Sequence, residues 1–314
     1  MGHDGGRSPL PPSKGERVFE VVPYGGWSRC LRLFTREIEL IVTAEVGPRV
    51  IRCGFIGERN LFHEVREDLG RAGGDRWRLY GGHRFWHAPE AIPRTYSPDN
   101  SPVAYEHEDR TVRLTQGVEP ATGLQKAIAI TLTGESEVQI AHTLTNHSLW
   151  AIEAAPWALS VMAAGTRAIL PQEPHRSHSE DVLPARPLVL WSYTDMTDSR
   201  WTWGSRYIQV QQDPAASGPQ KIGCRNSLGW LAGALDDTVF VKRFECLEGA
   251  TYPDMGCNAE IYTDSAFLEL ESLGPLTRLE PGASVTHTER WSLHHLALSK
   301  AESSIDEALL PLIG

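Results

Sequence analysis

Phe267-Leu-Glu-Leu-Glu-Ser-Leu-Gly-Pro275, followed by Leu279-Glu-Pro-Gly-Ala-Ser-Val-Thr-His-Thr-Glu-Arg-Trp291, is the stretch on which the fold turns. It alternates as a β-strand does, so Phe267, Glu269 and Glu271 share one face while Leu268 and Leu270 share the other. Leucines on one side and two carboxylates on the other describe a strand that is either half-exposed or lines a polar cleft. In the second case the glutamates are acid/base candidates. Outward from this strand the same grammar repeats: about fifteen short β-rich runs, parted by Gly, Pro, Asn and Asp turns, and no alternation of strands with helices. Only residues 299–310 carry a convincing helical pattern, opened by Ser299 and Ser303. No repeat period stands out, which disfavours a propeller. The expected fold is all-β, a large antiparallel β-sandwich with a short C-terminal helix.

The domain reading is a disordered tail over residues 1–16 and a single sandwich domain over residues 17–314, with the polar, proline-rich stretch 171–187 as a long surface loop. The tail has no apolar run of the kind a signal peptide needs. The most apolar window, residues 151–170, is broken by Glu153, Pro156 and Arg167 and does not span a bilayer. Net charge is -10 and spread along the chain, which argues against a nucleic-acid surface. Arg76, Arg78, Arg84 and Arg94 form one local basic cluster against Glu90. Five cysteines without a CxxC pair indicate neither a zinc ribbon nor a redox pair, and reduced thiols point to the cytoplasm.

Four constellations can carry chemistry. In Tyr80-Gly-Gly-His-Arg-Phe-Trp-His-Ala-Pro-Glu90, the residues His83, His87 and Glu90 have the spacing of metal ligands on one helix face, but the glycines and Pro89 oppose a helix. Extended, the segment puts His83, Phe85 and His87 on one face and Arg84 and Trp86 on the other, which suits a polar ligand better than a metal. His147 ends a strand and faces a turn. The chain has ten tryptophans, and Trp191, Tyr193, Trp201, Trp203 and Tyr207 crowd together with Asp195, Asp198, Arg200 and Arg206; flat aromatic faces of this kind pack against sugar rings. Last, Asp254, Asn258 and Glu260 cluster where the chain turns into the opening strand. Lys221 and Lys242 sit in apolar settings, which admits an inward cation, and the preferred reading of each is a snorkelling surface residue. Nucleophile elbows and phosphate loops are missing from the sequence.

Three segments resemble the galactose mutarotase-like (aldose 1-epimerase) superfamily. They are Ile38 to Ile51 with Gly57-Glu-Arg-Asn-Leu-Phe62, then Leu144-Thr-Asn-His-Ser148, then Leu270-Glu-Ser272 with Leu279-x-Pro-Gly and Thr286-His-Thr288 behind it. The resemblance implies the supersandwich fold and interconversion of sugar anomers by acid/base ring opening, with no cofactor or metal. It implies Glu271 as the general base and His147 as the acid, with His83 as the alternative acid. Arg84, His87, Glu90, Trp203, Asp254 and Glu269 are the expected substrate-binding residues, and the arginine cluster points to an anionic sugar. The partner expected is a small-molecule sugar, with no nucleic acid and no membrane. A glycoside hydrolase is disfavoured, because Glu269 and Glu271 approach a substrate from one side. The rival from another class is a non-catalytic carbohydrate-binding or structural module on the same fold.

Overall fold

The computed structural model describes residues 18–313, so the expected tail lies outside the described residues. Two large antiparallel sheets face each other. Numbered in chain order, the first sheet runs β1 (Phe19–Tyr24), β2 (Trp27–Phe34), β3 (Ile38–Thr43), β4 (Arg49–Phe55), β5 (His83–Ala88), β10 (Ile152–Met162), β19 (Leu268–Leu273), β18 (Ala259–Thr263), β15 (Gln220–Cys224) and β12 (Leu188–Leu190), with β20 (Thr277–Leu279) also on β10. The second runs β13 (Trp201–Trp203), β14 (Tyr207–Gln211), β11 (Arg167–Pro171), β16 (Trp230–Leu235), β17 (Thr238–Phe244), β21 (Ser284–His295), β9 (Glu137–Asn146), β8 (Leu124–Leu132), β7 (Thr111–Thr115) and β6 (Ala104–Glu108). The all-β sandwich read from the sequence is the fold observed.

Two of the central strands, β5 and β10, give little strand signal in the sequence because both of their faces are covered. β5 is buried at all six positions and β10 at nine of eleven, so neither shows the alternation that betrays a half-exposed strand. The expected helix over 299–310 forms later and less regularly, as Glu302–Ser304, a π-helical Ile305–Leu309 and Leu310–Ile313. Ile305, Leu309 and Ile313 pack on Tyr207 and Trp230 at the outer face of the second sheet.

Between the sheets, Leu268 and Leu270 point inward as read, with Met162, Phe62, Phe240 and Trp291 in the same core cluster. Phe62, Phe240 and Trp291 meet edge-on, at ring separations of 5.3–5.7 Å; burial of each such side chain contributes roughly 1.5–3 kcal/mol. The entry to β5 depends on two glycines. Gly81 and Gly82 have φ of 96° and 71°, and a Cβ there would lie 2.1 Å from the His63 carbonyl oxygen and 2.3 Å from that of Val50. Their turn is held by Arg49, whose Nη1 donates to the carbonyls of Leu79 (3.0 Å) and Gly81 (2.6 Å).

Register then fixes what shares a face. Arg84 lies opposite Leu159, Leu159 opposite Glu271, and Glu271 opposite Glu260, while Glu269 lies opposite Tyr262 and Tyr262 opposite Lys221. All of these belong to the face of the first sheet turned away from the second.

Candidate functional site

On that outer face, two cations and four carboxylates interlock. Arg84 Nη2 lies 2.9 Å from Glu269 Oε1. Lys221 Nζ lies 2.8 Å from Glu260 Oε2 and 3.0 Å from Glu271 Oε2, so it bridges two carboxylates on adjacent strands. The indole N–H of Trp157 donates to the same Glu271 oxygen at 2.8 Å. The Lys221 ammonium sits 4.9 Å from the Trp157 ring centre and 4.7 Å from that of Trp191, and the Arg84 guanidinium 4.4 Å from that of Trp86. Trp77 and Tyr96 pack edge-on or tilted against Trp86 and extend the aromatic wall. Asp254 interacts with Glu260 from the turn before β18. It has φ 50° and its neighbour Met255 has φ 61°, both in the left-handed region that costs a non-glycine residue about 1–2 kcal/mol. Strain of this kind concentrates where geometry serves function.

The electrostatics of the cluster follow from burial. Glu260 is fully buried, and that raises its carboxyl well above the ordinary range; Lys221 pulls it down, while Glu271 and Asp254 push it up again. Burial also raises Glu269, against the opposing pull of Arg84, and it raises Asp254. Burial disfavours charge on Lys221, yet Glu260 and Glu271 more than offset it and hold the ammonium well above its usual range. The phenol of Tyr193, from the irregular segment between β12 and β13, is pushed up to about 12 by burial. One Glu271 oxygen, one Glu269 oxygen and both Glu260 oxygens are buried without an aligned hydrogen bond, as are Nε and Nη1 of Arg84. Buried polar atoms are ordinarily satisfied, so this concentration marks a place prepared for a polar partner.

Of the residues expected in a site, Arg84, Glu269, Glu271 and Asp254 come together here, and Glu90 stands at the exposed rim, bonded to the hydroxyl of Tyr96. The others go elsewhere. His147 occupies the turn after β9, exposed, with Nε2 3.2 Å from Gln125 Oε1. Trp203 is in β13 of the second sheet, its indole N–H on the Met196 carbonyl. His83 and His87 point into the sandwich, because the alternation of β5 puts them opposite Arg84. His87 is buried with neither ring nitrogen partnered, and burial, with Lys126 and Arg94 nearby, lowers it to about 3. The arginine cluster also disperses: Arg78 donates to the Gly73 carbonyl, Arg94 to the Pro89 carbonyl, and Arg76 is exposed. Lys221 and Lys242, read as snorkelling surface residues, are both buried and ion-paired. Lys221 and Trp157 were missed, while Glu260, Trp86 and Trp191 stood in the constellations read from the sequence but were not among the expected site residues. The usable signal was a lone lysine within a strand-like apolar run, opposite strands that bear glutamates. One histidine, His63, lies with its ring tilted against that of Phe267, 5.5 Å away.

His83 belongs to a second polar system between the sheets. Its Nε2 lies 2.7 Å from His142 Nε2 and its Nδ1 2.9 Å from Ser160 Oγ. Lys242 Nζ donates to Ser160 Oγ (3.2 Å) and to the Leu270 carbonyl (3.0 Å), and pairs with Glu289 (2.7 Å). Glu289 also accepts from Ser272 and from the Trp291 indole, and Ser272 meets His287 Nε2 at 2.7 Å. The hydrogens close with neutral rings: Ser160 donates to His83, His83 to His142, and His142 Nδ1 to the His287 carbonyl. Although His83, His142 and Glu289 converge within 4.8 Å, the histidine nitrogens are at hydrogen-bonding separation and the carboxylate is taken by an ammonium. Burial lowers His142 to about 4 and His287 to about 3, and His83 well below its usual range.

No protein-family model matches the sequence, and no curated protein matches it. Solved structures do. A galactose mutarotase-like protein from Lactobacillus casei aligns over 84% of this chain and 100% of its own, with TM-score 0.57 and 12% identity. Another galactose mutarotase-like protein, from Clostridium acetobutylicum, aligns over 85% and 96%, with TM-score 0.51 and 9% identity. The chain has the galactose mutarotase-like fold. The same fold also matches part of a TPR-domain containing protein from Parabacteroides distasonis, over 86% of this chain and 48% of that one, with TM-score 0.58 and 16% identity. On the galactose mutarotase-like sandwich of this chain, the charged cluster occupies the middle of one sheet's outer face. No helix among the described residues is long and apolar enough to cross a membrane.

Proposed function

We propose that this protein is a sugar-anomer epimerase whose base is Glu271 and whose acid is a carboxyl group rather than a histidine. Ring opening needs one group to take the proton of the anomeric hydroxyl and another to protonate the ring oxygen. The observation that carries the reading is the Glu260–Lys221–Glu271 bridge. One carboxylate, Glu271, has an oxygen held by Lys221 and by the Trp157 N–H while its other oxygen is unpartnered; the other, Glu260, is driven by burial to hold a proton. A buried carboxyl that keeps its proton, beside a carboxylate held by a cation, supplies an acid and a base. Glu271 accepts the anomeric proton on its free oxygen. Glu260, with Asp254 beside it, protonates the ring oxygen, and Lys221 keeps the charge near both constant as the proton moves. Trp191, half-buried at the rim, supplies an apolar face for the sugar ring, with Trp157 and Trp86 behind the cations.

The test is NMR or polarimetric measurement of anomeric exchange on freshly dissolved α-sugars. Glu271→Gln is expected to remove about 10²–10⁴-fold of the acceleration, the usual share of general acid/base catalysis. An exchange rate at the buffer value for the native protein, across neutral, amino and acidic sugars, overturns the proposal. One observation favours a second reading, a non-catalytic sugar-binding module: Glu260 and Glu271 have 0% exposure, so a ligand reaches them only if the rim carrying Trp191 and Tyr193 parts. Sugar binding at the native buffer exchange rate would establish that reading instead.

A further inference from the structure

We infer that the sugar taken by this site carries a positive charge, as a protonated amino sugar does, and that sugar phosphates and uronic acids are rejected. The inference rests on the function proposed above and concerns what the same face selects. With Glu260 holding its proton, the cluster still sets the carboxylates of Asp254, Glu269 and Glu271 against only Arg84 and Lys221. Each cation is already within 3.0 Å of a carboxylate and lies over a tryptophan face, so the positive charge of each is balanced within the cluster, although Nε and Nη1 of Arg84 remain without a hydrogen bond. Of the buried carboxylate oxygens without a hydrogen bond, Glu269 Oε1 and Glu260 Oε2 are each ion-paired, which leaves one oxygen of Glu260 and one of Glu271 open to a donor. A ligand that fits brings donors to those two oxygens, and an ammonium brings three donors and no acceptor.

The surroundings reinforce this sign. Glu90 stands exposed at the rim, close enough to act on Asp254 and Tyr193. The arginines that the sequence clusters nearby point elsewhere, to the carbonyls of Gly73 and Pro89. Asp254 is half-buried on the strained turn, with Glu260 behind it, and forms the natural seat for the ammonium at the border between the cluster and solvent. An acidic substituent there meets like charge in a partly desolvated place, which suppresses binding strongly.

The experiment uses the full chain with glucosamine, glucose, N-acetylglucosamine and glucose 6-phosphate, at matched low ionic strength. Binding is followed by ligand-observed NMR and anomeric exchange by NMR of the same samples. Glucosamine is expected to bind about tenfold or more tighter than glucose and N-acetylglucosamine, with glucose 6-phosphate weakest. Asp254→Asn, which keeps a residue tolerant of the left-handed backbone, is expected to bring the glucosamine-to-glucose ratio close to one. A ratio near one in the native protein overturns the inference, as does binding of the phosphate equal to that of glucosamine, or binding of none of the four. Tight glucosamine binding with exchange at the buffer rate removes the epimerase reading and leaves the charge preference standing. Accelerated exchange of glucose 6-phosphate with no preference for the amine does the reverse.

Discussion

Acidification from pH 7 to pH 5 should destabilise this protein through histidines buried without charge. His87, His142 and His287 are held at about 3, about 4 and about 3, first of all by burial. In the unfolded chain each returns to an ordinary value near ~6.5. The unfolded state therefore binds more protons below that value, so the stability is fully present above about pH 6.5 and is lost as the pH falls towards the folded values. Over the two pH units the unfolded state gains about 1.9 kcal/mol per histidine, hence about 5–6 kcal/mol for the three. His83, lowered well below its usual range, adds to the loss. Glu260, Glu269 and Asp254 act in the opposite sense, because their raised carboxyls bind protons in the folded state first and return part of the stability. Urea unfolding at the two pH values measures the balance. His87→Leu isolates one contribution, since neither ring nitrogen of His87 has a partner. The variant should be about 1–3 kcal/mol more stable at pH 7, by removing an unsatisfied buried polar group, and should lose about 1.9 kcal/mol less on acidification. A native protein as stable at pH 5 as at pH 7, together with an unchanged pH response in His87→Leu, would refute the reasoning.

Other outcomes follow from the same geometry. Lys221→Met leaves Glu260 and Glu271 facing each other without their cation and should cost about 3–5 kcal/mol, read as a fall in thermal midpoint. Lys242→Met should cost a similar amount by stranding Glu289, whereas the double variant Lys242→Met/Glu289→Gln should recover much of it; a double-mutant cycle reads the coupling. Gly82→Ala forces a Cβ to within 2.3 Å of a backbone oxygen at φ 71°, and expression of folded protein with native stability would contradict the described entry to β5. His147→Ala, on the exposed turn, should leave anomeric exchange at the native rate, in contrast to Glu271→Gln.

The opening strand could be read to its faces but not to its surroundings. Alternation correctly put Leu268 and Leu270 inward, yet it allowed only exposure or a cleft for Glu269 and Glu271. The structure gives a third condition: both glutamates are buried under a lysine, an arginine and tryptophans contributed by strands more than a hundred residues away in some cases, such as Trp157 on Glu271. Such pairings depend on strand order, and local pattern carries no information about strand order. β5 shows the same limit from the other side. Its two faces were separated correctly in the extended reading, with His83 and His87 apart from Arg84, but nothing local says which face looks towards the second sheet. His147 illustrates motif without context: the Leu-Thr-Asn-His-Ser run is present, while it ends on an exposed turn where the His147 ring meets the Gln125 side chain.

β10 has one further consequence. It is paired with β5 and β19 along most of its eleven residues and with β20 at its start, so its amides lie deep within the hydrogen-bonded ladder. In amide hydrogen exchange such a strand opens only with the whole molecule, whereas the turn at 252–257 and the segment between β12 and β13 open locally. Trp157 and, one strand over, Glu271 therefore ride on the slowest-exchanging part of the protein, and Asp254, Trp191 and Tyr193 on faster parts. Ligand entry and proton transfer are thus assigned to parts of the chain with different clocks.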